Sequence, residues 1–110
     1  MSGIDIGQVA GDAANAMLGV LGAAATDLVD YAKAEATKLA TSALEIAQLR
    51  VKGIINDEEL ALHLEIQKHA SRAVLMAIKG IGIIAAEQAI NAAFAVIRNA
   101  VNAALPINVL

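Results

Sequence analysis

A chain of 110 residues is one domain's worth, too short for a two-domain enzyme. It is 58% hydrophobic and only 17% charged, where ordinary soluble domains have roughly half and a quarter. A net charge of −3 without a basic cluster, with Tyr31 and Phe94 as isolated aromatics, argues against a nucleic-acid partner, and the absence of cysteine removes disulfides, thiolate metal sites and cysteine nucleophiles.

The apolar excess is alanine, 26 residues of it, which favours helices that approach one another closely. Pro106 is the only proline, and no segment reads as a strand bounded by turns. The fold class is therefore all-α: a long antiparallel helical hairpin, one domain over 1–110, packing into an oligomeric bundle.

The first arm is expected over about 3–52. Ser2 and Asp5 are alternative N-caps, each with an acid or amide three residues on, Asp5 and Gln8. The apolar run from Ala16 to Gly22 makes a poor secretory signal, because its upstream flank carries Asp5 and Asp12 and no Lys or Arg. Synthesis in the cytoplasm is expected, and no further localisation follows. Gly3, Gly7 and Gly11 fall at spacing four, with Gly19 and Gly22 beyond them. A glycine inside a helix costs roughly 0.5–1 kcal/mol relative to alanine, so these need a reason. The favoured one is close helix approach. The other is a hinge, since Gly22, Gly80 and Gly82 gather where the charged half of the hairpin meets the apolar half.

The turn is expected at 53–56. Gly53 follows a helical pattern ending in Arg50 and Lys52, as suits a residue just past a helix C-terminus. Asn56 is then an N-cap with Glu59 at the capping-box position, and Asp57 and Glu58 face the positive end of the new helix. Ile55 and Leu60 occupy the two places of a hydrophobic staple. The second arm is expected over about 57–105, where Pro106 stops it and leaves a short apolar tail, 106–110, to dock on a neighbour. Two such arms make a rod on the order of 70 Å long, with residues whose numbers total about 108 facing one another.

The rod is asymmetric. All of the charged residues except Asp5, Asp12, Lys79, Glu87 and Arg98 lie between Asp27 and Arg72, in the half nearest the turn. The apolar open end keeps narrow polar stripes, Asp12 and Asn15 on one arm and Glu87, Asn91, Arg98 and Asn102 on the other. A helix apolar around most of its circumference needs several partners, or lipid. The expected packing interface is Gly7, Gly11, Gly19 and Gly22 against Ala85, Ala89 and Ala93. The polar stripes are the candidate lining of an oligomer, but the favoured reading is that they face solvent or pair across a soluble bundle, as any amphipathic helix requires.

No catalytic residue, metal ligand or cofactor is expected. His63 and His69 lie six apart on a helix and cannot share a metal. The pairs Glu59–His63 and Glu65–His69 are four apart and read as helix-surface contacts. The serines lack a nucleophile-elbow context, and Gly80-Ile81-Gly82 lacks the strand and third glycine of a nucleotide loop. Ala73 to Ile97 is long enough to cross a bilayer, but Glu87 near its middle costs roughly 2.5–3.5 kcal/mol there.

The function expected is that of a non-catalytic, self-associating structural protein. It would be a homo-oligomeric subunit of a larger helical complex, such as a virion or secretion-type particle, with other proteins of that complex as partners. The alternative is a membrane-inserting or pore-forming hairpin whose open end enters the bilayer.

Overall fold

The computed structural model describes residues 5–22, 29–77 and 81–105. They form four α-helices, α1 (Ile6–Leu21), α2 (Val29–Val51), α3 (Asp57–Met76) and α4 (Ile83–Ala104), with no strand among the described residues. The all-α class stands. Each expected arm, however, is two helices rather than one.

The first break has a local cause. Gly22 adopts φ 88°, ψ 179°, a conformation essentially restricted to glycine, and its N–H donates to the Leu18 carbonyl at 2.9 Å to close α1. At the other break α3 stops at Met76, and Ala77 N–H donates to the Ala73 and Val74 carbonyls. Ile81 and Gly82 are non-helical, and Gly82 opens α4 in extended backbone (φ −83°, ψ 169°) with no side-chain cap. The chain therefore leaves the helix at Gly22 and again just before Ile83. Those are the places the hinge reading of the glycines picked out, although Gly80 itself lies outside the described residues.

Close helix approach, the favoured account of the glycines, is not what the described glycines of the arms show within the chain. A Cβ built on Gly11, Gly19 or Gly82 meets nothing within 4 Å, and one on Gly7 meets only Asp5 Oδ1, at 3.3 Å. Gly3 lies outside the described residues.

The turn between α2 and α3 stands where its caps placed it. Gly53 has φ 77° and donates to the Arg50 carbonyl, while Ile54 donates to Leu49, each at 3.0 Å. These are the two crossed bonds of a Schellman motif, and they use carbonyls that the helix end would otherwise leave unsatisfied. Asn56 Oδ1 accepts from Glu59 N–H at 2.8 Å, and Glu59 Oε1 accepts from Asn56 N–H at 3.0 Å, completing the capping box. Such a cap contributes about 1 kcal/mol. Ile55 and Leu60, the staple pair, are both buried. Arg50 Nε donates to Asp57 Oδ1 at 2.6 Å across the turn, and Ala34 and Val74 border one groove further along, so the expected antiparallel register of α2 and α3 is kept.

What differs is where the apolar ends go. α1 packs against α4 and α2, and α4 also touches α2 and α3. One buried cluster runs through all four helices. α1 supplies Ala10, Ala13, Ala14 and Met17, α2 a stripe from Ala32 to Ala47, and α4 a stripe from Ala86 to Val101. Helical hydrogen bonds lost at each break cost about 1 kcal/mol apiece. Each large apolar side chain newly covered returns roughly 1.5–3 kcal/mol, so covering a few of them outweighs the breaks. The described residues accordingly measure 42 × 26 × 16 Å, well short of the expected rod.

Candidate functional site

The four-helix packing sorts the expected interface residues into two groups. Ala89 and Ala93 are fully buried by the chain's own helices and Ala85 is half-buried. These alanines are spent inside the monomer. Gly7, Gly19 and Gly22 are exposed and Gly11 half-buried, with open space where a side chain would stand, apart from the Asp5 oxygen beside Gly7. Asp5, the nearer of the two expected N-caps, does cap α1, its Oδ1 accepting from Gln8 N–H at 3.2 Å.

The polar stripes lie mostly at the surface of the single chain. Asp12, Asn15 and Arg98 are exposed, and Asn102 is half-buried. Glu87 and Asn91 do meet other polar groups. From α4 they face Glu65, Lys68, His69 and Arg72 of α3 across a cleft that Ile90 floors. This grouping of α3 with α4 was not legible in the sequence, because it joins residues about twenty apart across the break between the helices.

The α3 wall of the cleft carries two contacts of its own. Glu65 lies 3.8 Å from Lys68 Nζ and 3.4 Å from His69 Nε2, the latter being the helix-surface pair expected from their spacing. Glu59 serves its cap. Lys68 Nζ also stands 5.0 Å from the centroid of the Phe94 ring, tying α3 to α4 through a cation–π contact. Arg72 Nε is buried and meets no acceptor among the described residues. With a volume of about 50 Å³ the cleft admits water and little else, far below the several hundred Å³ of a metabolite pocket.

A second, wider groove of about 430 Å³ runs between α2 and α3, bordered by Asp30, Tyr31, Ala34, Lys38 and Val74. Glu35 lies in it only 4% exposed, with Oε1 3.4 Å from Lys38 Nζ, whose own side chain is largely in solvent. Neither cleft sets a nucleophile beside a base. Among the described residues no three His, Asp or Glu side chains are grouped to hold a metal ion. At the turn, Arg50 holds the Asp57 carboxyl below its ordinary value of 3.8, chiefly through their hydrogen bond and then through its charge.

The feature that sequence reasoning missed is apolar. On α3, Leu60, Leu64, Ser71 and Leu75 are buried. Leu62 and Ile66 are 61% and 52% exposed, and Met76 lies on the same outward line. Residues two apart on a helix point about 200° away from each other, so α3 carries one apolar stripe inward and a second outward. The signal was present as the spacing 62, 66, 69, 73, 76, but it is interleaved with the inner stripe and carries less hydrophobicity than the open end. Ile54 before α3, and Ile83 and Ile84 after it, are exposed as well.

No family model matches this chain, and it matches no curated protein and no solved structure.

Proposed function

We propose that this chain is a non-catalytic structural protein that works by self-association, as a subunit of a larger helical complex. The supporting observation is the distribution of exposed apolar side chains. Among the described residues nine large ones are exposed; Leu62, Ile66 and Met76 lie on α3, Ile54 just before it, and Ile83 and Ile84 at the start of α4. Single exposed apolar residues are ordinary on protein surfaces, whereas a row of them along one helix marks a surface that associates. Two small or open clefts without a nucleophile–base pair favour an assembly role over chemistry.

Membrane insertion has less support. Among the described residues no helix is long and apolar enough to cross a membrane. The alanine-rich faces of α1 and α4, which the insertion reading would give to lipid, are covered by protein.

Light scattering on a sizing column, in detergent-free buffer over a range of concentrations, tests the proposal. A defined soluble oligomer is the expected result. A monomer at every concentration refutes self-association, and aggregation relieved only by detergent or liposomes replaces it with membrane insertion.

A further inference from the structure

Resting on the self-association reading, we infer that the partner of the outer face of α3 is α3 of a second copy, laid antiparallel across a two-fold axis between Gln67 and Lys68. The seam is Leu62, Ile66, His69, Ala73 and Met76, alternately four and three apart, and none of the five is buried within the chain. That alternation is what two helices need in order to interlock along a shared line.

The charges choose the direction. The N-terminal half of α3 carries Asp57, Glu58, Glu59 and Glu65, and the half beyond it carries Lys68 and Arg72. Antiparallel pairing brings Glu65 of each copy to Arg72 of the other and opposes the two helix dipoles, whereas parallel pairing sets Glu65 on Glu65 and Arg72 on Arg72. In the antiparallel register, Leu62 faces Ala73 of the second copy and Ile66 faces His69, a large side chain against a smaller one in the first case. Beside the seam, Glu65 meets Arg72 of the second copy. That sets a carboxylate beside the guanidinium of a half-buried arginine, a charge complement on each side of the seam. An isologous contact of this kind closes on itself as a dimer.

The contact is modest. A helix of 20 residues is about 30 Å long and 10–12 Å wide, so its face offers roughly 300 Å² per copy, against about 800 Å² in a standard interface. Ile54, Ile83 and Ile84 at its margins add to this. The pairing is reversible and strengthens with protein concentration.

Cysteine cross-linking tests the inference, and the cysteine-free chain makes it clean. The double variant L62C/A73C, oxidised at a concentration where light scattering shows an oligomer, is expected to give a covalent dimer. The single variants are expected to give none. Leu62 and Ala73 lie about 16 Å apart along one helix, beyond the roughly 7 Å that a disulfide spans, so the double variant cannot bridge within a chain. For the same reason Leu62 cannot reach Leu62 of the second copy when the helices are antiparallel. Cross-linking of the single variants overturns the antiparallel arrangement. An oligomer that no variant cross-links overturns the α3 interface and leaves self-association standing. A monomer throughout ends both.

Discussion

Replacing two glycines by alanine should move stability in opposite directions, and the structure sets both signs. Gly11 lies within α1, where a Cβ meets nothing within 4 Å, so G11A removes backbone freedom from the unfolded chain without steric conflict. The gain is about 0.5–1 kcal/mol. Gly53 also has open space around its Cβ, but it sits at φ 77° and donates the inner hydrogen bond of the Schellman motif. There an L side chain costs about 1–2 kcal/mol from backbone sterics alone. The two variants therefore differ by roughly 1.5–3 kcal/mol although each adds one methyl group. Urea unfolding followed by circular dichroism at low protein concentration reads this as midpoints on either side of the parent's, with unchanged slopes. In thermal melts each kcal/mol is worth about 4–8 °C for a domain of this size. A loss of stability in G11A at or above that in G53A would refute the reasoning. It would mean that the Gly11 surface is closely covered, by a second copy or otherwise, as the close-approach account of the glycines held.

Two further outcomes follow from the same packing. A93L places three additional carbons at a fully buried position of α4 and should destabilise the chain by about 1–3 kcal/mol in the same unfolding assay; a loss under about 0.5 kcal/mol would show that α1 and α2 do not cover that face. The Arg50–Asp57 pair makes a pH prediction. Because Asp57 titrates below its ordinary 3.8 in the folded protein, the pair's stabilisation is fully present above that value and is lost as pH falls through the lowered one. D57N should therefore flatten the acid limb of a urea-midpoint series taken below about pH 5, and an unchanged limb would show that the exposed pair contributes nothing.

How much of this molecule could be read without coordinates depends on the range of the forces involved. Gly53, Asn56 and Glu59 did what their spacing implied, because a Schellman motif and a capping box are closed by hydrogen bonds between residues three to five apart. The helical class was equally legible, since alanine's propensity acts residue by residue. The division of each arm into two helices was not. Gly22 and Gly82 are compatible with a bent helix, a broken one or a close contact, and local energetics separate these by only about a kcal/mol.

The sequence by itself determined the all-helical class, the central turn and the excess of apolar surface that had to be covered. Only the tertiary structure decided what covers it. By breaking at Gly22 and before Ile83, the chain folds α1 and α4 over its own alanines, Ala89 and Ala93 among them. The exposed apolar surface then moves from the open end to the outer stripe of α3. Burial depends on which distant segments meet, and that sum over the whole chain outweighs the hydrogen bonds given up at two glycine-marked breaks.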